Sequence, residues 1–159
     1  MNLSSRSQDL LERLEGREPT VYLDAAGLPT IGAGHCLTRD EITSGKIRIG
    51  NVAVHYRYGL TDEQIDALLA QDVAPVEQAV DRLVDVPLMQ CQFDALVVFA
   101  FNVGTDALAR STLLRRLNGG DYADVPNQLR RWVWAAGRRV RGLVNRREAE
   151  IRLWKEGAV

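Results

Sequence analysis

Apolar residues recur along this chain with two different periods, and the switch between them divides it. Leu10, Leu11 and Leu14 fall at helical spacing behind Ser5-Arg6-Ser7-Gln8, which has the form of a capping box, and Gly16 supplies a stop. A first helix is therefore expected from about Arg6 to Glu15. From Val21 to Ile31 the pattern becomes that of strands: Val-Tyr-Leu, an Ala-Ala-Gly turn, then Thr-Ile-Gly. A second hairpin is expected over Lys46–Tyr58, where Ile47 and Ile49 alternate toward Gly50-Asn51 and Val52 and Val54 leave it. Together these strands form a small β-containing region.

Beyond residue 60 the period is helical. Thr61-Asp62-Glu63-Gln64 is a second capping box, and Ile65, Leu68, Leu69, Val73, Val76, Val80 and Leu83 follow at helical spacing. Pro75 inside that run is expected to kink or break the helix, because it removes a donor and crowds the preceding turn. Residues 88–103 are apolar on most faces, the pattern of a helix central to a core. Shorter helices are expected from Thr112, from Asp121 or Tyr122, and from Leu143 to Trp154. Trp132, Trp134 and Trp154 are assigned to the core, and Tyr56 and Tyr58 to packing. The fold class is α+β, mainly helical.

At 159 residues, with 46% apolar and 26% charged residues, the chain has the size and composition of one soluble domain with a real core. No repeat or low-complexity tract interrupts it. The net charge of −1 hides segregation: residues 1–109 hold 8 Lys/Arg against 16 Asp/Glu, while residues 110–159 hold 12 against 5. An Arg-rich end suits a polyanion, or a solvated helical surface paired with its own acids. Cys36 and Cys91 lack metal-type spacing, and two free thiols are favoured over a disulfide in a reducing compartment. The polar N-terminus lacks the apolar stretch of a signal peptide, and no apolar run of 18 residues occurs. The chain is thus not expected to direct its own export. No metal or cofactor is expected.

The candidate chemistry lies between residues 15 and 35. Glu15 closes the first helix, Asp24 lies nine residues on, and Thr30 six further. Glycoside hydrolysis needs one carboxyl to protonate the leaving oxygen and a second to stabilise the oxocarbenium-like transition state or work through water. Two acids on separate elements can hold different protonation states at one pH. Taken singly, each residue has a plainer role: Glu15 a surface charge, Asp24 a turn residue, Thr30 an ordinary strand residue. Glu12 and Glu18 are assigned to the surface. Gly32 and Gly34, inside a strand pattern, mark close approach of backbone or ligand, either sugar at the site or a bend in the strand.

These residues carry a resemblance. Glu15-Gly16, Tyr22-Leu23-Asp24 and Thr30-Ile31-Gly32-Ala33-Gly34-His35 are followed in order by Gln71-Asp72-Val73, Gln92-Phe93-Asp94-Ala95-Leu96 and Phe101-Asn102-Val103-Gly104. Ser111-Thr112-Leu113-Leu114 and Gly142-Leu143-Val144-Asn145-Arg146-Arg147-Glu148-Ala149-Glu150 complete the series. Over nearly its whole length the chain resembles the phage lysozymes of glycoside hydrolase family 24, the T-even and lambdoid types. The resemblance implies one two-lobed lysozyme domain over residues 1–159, with a β-containing lobe at about 16–60. A linking helix at about 61–83 would join it to a helical lobe at about 84–159 plus the first helix. It implies a muramidase that hydrolyses the β-1,4 bond between N-acetylmuramic acid and N-acetylglucosamine and lyses the host cell.

By that resemblance Glu15 is the general acid, Asp24 the second carboxylate, and Thr30 helps place the attacking water, with inversion at the sugar carbon. Arg146 would hold the acid, and His35 would pair with Asp72. The implied partner is the glycan strand of peptidoglycan. Nucleic acid and stable membrane insertion are not expected; electrostatic contact with anionic wall or outer-membrane lipid is, and so is a monomer. Storage in the host cytoplasm would precede action on periplasmic murein once the membrane is permeabilised. The Lys46–Tyr58 segment departs from the T-even pattern by its length. Two other classes compete: a lytic transglycosylase, against which Asp24 and Thr30 count, and a basic nucleic-acid binder, against which the acidic first two-thirds counts.

Overall fold

A computed structural model describes residues 1–156; the last three positions of the expected domain, residues 157–159, lie outside the described residues. The first helix, α1, runs Ser5–Glu15. Its cap is Ser4, one residue ahead of the sequence pattern: the Ser4 hydroxyl accepts a hydrogen bond from the Ser7 amide at 3.3 Å. Such a cap is worth about 1 kcal/mol. The chain divides into two compact units, Asp9–Ala74 and Met1–Gln8 with the chain from Pro75 onward.

In the Asp9–Ala74 unit, three strands form an antiparallel sheet in chain order: β1 (Glu18–Leu23), β2 (Pro29–Gly32) and β3 (His35–Cys36). Tyr22 lies opposite Thr30 and Ile31 opposite His35, with a register shift between Glu18 and Tyr22. Helix α2 (Arg39–Ser44) was not expected from the apolar pattern, since none of its residues is buried. It forms on its caps instead. Thr38 Oγ1 accepts from the Glu41 amide at 3.2 Å, and the Glu41 carboxylate accepts from the Thr38 amide at 2.8 Å. The expected second hairpin is β4 (Lys46–Ile49) and β5 (Val52–His55), with Ile47 fully buried. Gln71 pins its turn, accepting from the Gly50 amide and donating to the Arg48 carbonyl, both at 3.0 Å. Tyr56 packs and donates to the Glu41 carbonyl at 3.0 Å, whereas Tyr58 is 88% exposed and does not pack.

Helix α3 spans Asp62–Leu83 and opens on the expected reciprocal Thr61–Gln64 cap. It continues through Pro75 without a break. Proline removes one bond, to the carbonyl four residues back, but the stripes on both sides of it remain buried: Leu68, Leu69 and Val73 before, Ala79 and Val80 after. Arg17 ties the end of α1 to the start of α3, meeting Glu12, Asp62 at 3.2 Å and Asp66 at 2.8 Å. The hydrogen bonds to Asp66 and Glu12 hold its guanidinium pKa above the ordinary value.

In the other unit, α4 (Gln90–Val103) is buried continuously from Gln92 to Ala100, as its all-round apolar sequence predicts. Its one buried acid, Asp94, is fully engaged by Ser4, Ser7 and Gln90 at 2.5–3.2 Å. Helices α5 (Thr105–Ala109), α6 (Thr112–Asn118) and α7 (Val125–Leu129) follow, then a short antiparallel pair, β6 (Trp134–Ala135) and β7 (Arg138–Arg139). Helix α8 (Arg141–Lys155) closes the unit against α4. Trp154 is buried and Trp132 sets its ring edge-on to Phe99 at 5.4 Å, as core aromatics should. Trp134 does not join them: it is 64% exposed, because it stands on a strand that helical spacing had not foreseen. Cys36 and Cys91 are both free thiols.

Candidate active site

Glu15 is the last residue of α1, and Gly16 at φ +84° turns the chain away after it. The Glu15 carboxylate lies against the turn between β2 and β3. A β-carbon at Gly34 would stand 2.7 Å from Glu15 Oε2 and 3.1 Å from its carboxyl carbon. With φ at +79° as well, position 34 accepts only glycine if the carboxylate is to rest there. The close approach read from the sequence is real, but the group that approaches is Glu15. A β-carbon at Gly32, where φ is +67°, would instead meet Leu68 and Ile65 of α3 at 3.7 and 3.8 Å, so this glycine lies against that helix.

Asp24 sits in the β1–β2 turn. Its Oδ1 accepts from the Ala26 and Leu28 amides, each at 2.8 Å, while its backbone closes the turn with Gly27 and Leu28. One carboxylate oxygen is thus fixed, and Oδ2 makes no hydrogen bond among the described residues. Thr30 is only 3% exposed and donates its hydroxyl proton to the Leu28 carbonyl at 2.9 Å. Its oxygen lone pairs remain to accept from a water.

Asp24 lies just past the end of β1, and Tyr22 within β1 pairs with Thr30 of β2. The Tyr22 phenol is half-buried. Its pKa is raised above the ordinary 10, first by burial, then by the charges of Glu15, Asp24 and Glu18. Both acids push that pKa in the same direction as burial does. Tyr22 was not singled out from the sequence as a site residue; its position just ahead of Asp24 was the available signal.

His35 does meet Asp72, Nδ1 to Oδ2 at 2.7 Å, but it meets Glu41 as well, Nε2 to Oε2 at 3.1 Å. Both ring nitrogens face carboxylate oxygens, which only accept, so the ring carries both protons. Burial pulls the His35 pKa down, and Asp72 and then Glu41 outweigh it, leaving the pKa above its ordinary 6.5. For Glu41, burial works upward, and the Thr38 amide and His35 bring the pKa below 4.5. Stability from the raised His35 pKa is full below pH 6.5 and fades as pH rises through the folded-state value. Stability from the lowered Glu41 pKa is present above 4.5 and fades as pH falls. Chemical denaturation of His35→Asn across pH 5–9 is expected to lose the alkaline decline shown by the unmodified chain; parallel pH profiles would contradict the assignment.

Arg146 belongs to the other unit. It is 7% exposed and donates to the Val98 carbonyl at 3.2 Å and to Glu150 at 3.4 Å. Beside it Arg147 is almost fully buried, bonded to Glu150 at 2.9–3.0 Å and Asn102 at 2.7 Å, with its guanidinium 4.9 Å above the Phe99 ring. Burial pushes the Glu150 carboxyl up to about 7 against the pull of Arg147 and Arg146. Arg146, Arg147 and Glu150 thus form a buried charged network within this unit. Further along the surface Arg130 pairs with Glu148 at 2.8 Å, and Arg116 lies near Asp121 and Asp124 at 3.6 and 3.8 Å. Part of the C-terminal positive charge is therefore neutralised within the chain. Among the described residues no group of three or more His, Cys, Asp or Glu is arranged to hold a metal.

The family model for phage lysozyme matches residues 12–150. The chain belongs to the phage lysozyme family. This lysozyme is 44% identical over 133 residues to a SAR-endolysin of Escherichia phage Mu, covering 84% of this chain and 69% of that one. It is 38% identical over 154 residues to the endolysin of Salmonella phage P22, covering 97% and 98%. Among solved structures it superposes on an endolysin from Escherichia coli O157:H7 phage FAHEc1 with a TM-score of 0.79 at 34% identity, covering 100% of this chain and 96% of that one. The mainly helical α+β architecture is that of the lysozyme family. No helix among the described residues is long and apolar enough to cross a membrane.

Proposed function

We propose that this phage lysozyme is an endolysin that cuts bacterial peptidoglycan at the bond between N-acetylmuramic acid and N-acetylglucosamine, with Glu15, Asp24 and Thr30 as its catalytic residues. The reading is supported by geometry around one sheet: Gly34 at the β2–β3 turn leaves room for the Glu15 carboxylate, Asp24 in the β1–β2 turn has one oxygen fixed by the Ala26 and Leu28 amides, and Thr30 lies on β2. Glu15 donates its proton to the glycosidic oxygen as the bond to the muramic carbon breaks. Positive charge that develops at that carbon and the ring oxygen is stabilised by ionised Asp24. A water donates hydrogen bonds to Asp24 Oδ2 and to the Thr30 lone pairs, and its oxygen attacks the carbon from the opposite side. Asp24 takes the water's proton, and the product is a reducing sugar of inverted configuration.

Inversion requires the carboxyls to lie roughly 6.5–9.5 Å apart with a water between them. The glycan strand is the partner, and the enzyme works as a monomer, reaching murein after the inner membrane is opened. The reaction type is tested by mass spectrometry of digested sacculi. Reducing muramic ends are expected. Anhydro-muramic ends would mean a transglycosylase and would remove water from the mechanism.

A further inference from the structure

The β6–β7 hairpin sets Trp134 directly opposite Arg139 and Ala135 opposite Arg138. Paired residues on an antiparallel hairpin share a face with side chains about 5 Å apart at their β-carbons. The indole of Trp134 is 64% exposed, while Trp132 and Trp154 of the same unit are half-buried and buried. An indole left in water forgoes about 2–3 kcal/mol of burial, so its place is not explained by folding. The hairpin holds it in a fixed frame. Ala136 at φ +49° and Gly137 at φ +73° make a tight two-residue turn, and the Val140 amide closes the base on the Val133 carbonyl at 2.8 Å.

Charge at this hairpin is one-sided. No acidic residue occurs between Asp124 and Glu148. Arg138 and Arg139 are exposed, and among the described residues neither they nor Arg141 forms an ion pair, unlike Arg116, Arg130 and Arg147. A flat aromatic face beside unpaired guanidiniums matches a ligand that carries both an apolar ring face and a carboxylate. Murein supplies both: its pyranose rings present C–H faces, and its stem peptides carry free carboxylates. An anionic lipid surface fits less well, because interfacial anchoring needs more buried apolar area than one indole flanked by Ala135, Ala136 and Gly137 can provide.

We propose that the β6–β7 hairpin is a docking element for the peptide-bearing glycan of murein, with Trp134 stacking on a sugar ring and Arg139 taking a stem-peptide carboxylate. This rests on the muramidase reading and assigns part of its substrate recognition. Stacking supplies affinity without setting the scissile bond, and the guanidinium fork matches a carboxylate in two parallel hydrogen bonds. Both groups therefore act on substrate capture.

Initial-rate kinetics on intact sacculi, and on glycan strands stripped of peptide by an amidase with the lactyl carboxyls so freed converted to methyl amides, test the proposal. Trp134→Ala is expected to raise KM about tenfold, the size of one lost aromatic stacking contact, with a much smaller change in kcat and substantial rescue in Trp134→Phe. Arg139→Gln is expected to raise KM about fivefold on intact sacculi at low salt, and far less on stripped strands or at high salt. Arg152→Gln, the same charge change on the exposed side of α8, serves as the control. An unchanged KM in Trp134→Ala overturns the proposal, as does an equal Arg139→Gln loss on stripped and intact substrate. So does loss of sedimentation with anionic lipid vesicles while KM on sacculi stays put. If the unmodified enzyme releases no fragments from sacculi, the muramidase reading itself falls; if it releases them and the variants match it, only the hairpin assignment falls.

Discussion

Glu15→Gln is expected to stop the clearing of chloroform-treated Gram-negative cells, with a rate loss of about 10²–10⁴-fold and little change in melting temperature. The amide has the size of the acid and fits the same space against Gly34, so the fold should tolerate it. What it lacks is a proton to give the departing oxygen. A second readout separates a lost charge from lost structure. Glu15 is the largest electrostatic contributor to the raised Tyr22 pKa, so the phenol should ionise at lower pH in the variant. Equal clearing by the two proteins would strip Glu15 of the acid role, and an unmoved Tyr22 titration would place its carboxylate elsewhere.

Arg147→Met is expected to destabilise the protein by about 3–5 kcal/mol, the range seen when one partner of a buried ion pair is removed. For a chain of this length that corresponds to a fall in melting temperature of roughly 10 °C. Methionine keeps most of the buried volume, so the loss isolates charge and hydrogen bonding rather than a cavity. The Glu150 carboxyl would lose two contacts at 2.9–3.0 Å, Asn102 one at 2.7 Å, and the Phe99 ring its guanidinium. Glu150 has no solvent access and would be left with Arg146 alone among the arginines it meets here. A loss below about 1 kcal/mol would show that the network is not held by its charges.

Much of the fold was legible in the chain. The helix ending at Glu15, the Gly50-Asn51 hairpin, the Thr61–Gln64 cap and the buried α4 follow from periodicity and local chemistry, and each stands where that pattern put it. The misses have physical causes. Helix α2 buries no side chain, so no apolar stripe announced it, although Thr38 and Glu41 spell its cap. Pro75 reads as a breaker locally, yet burial on both sides carries α3 through it. Trp134 and the two-residue strands around it were too short to show a period of their own.

The candidate residues divide in the same way. Glu15, Asp24, Thr30, His35 and Asp72 could be picked out because their types and order are written in the chain. Their surroundings could not. That Glu41 completes the grip on His35, that Tyr22 is half-buried opposite Thr30, and that Gly34 makes room for a carboxylate are consequences of chain segments separated in sequence packing together.

The sequence by itself determined the family, the two kinds of periodic segment, and the identity of the groups that can give or take a proton. Those properties are local: a side chain's chemistry and a segment's apolar period do not depend on what packs beside them. Only the tertiary structure decided which glycine faces an acid and which faces a helix, which arginines are spent on internal carboxylates, and which tryptophan is left to solvent. Each of these is set by neighbours brought together through packing, and distance, burial and electrostatic field exist only once the chain has folded.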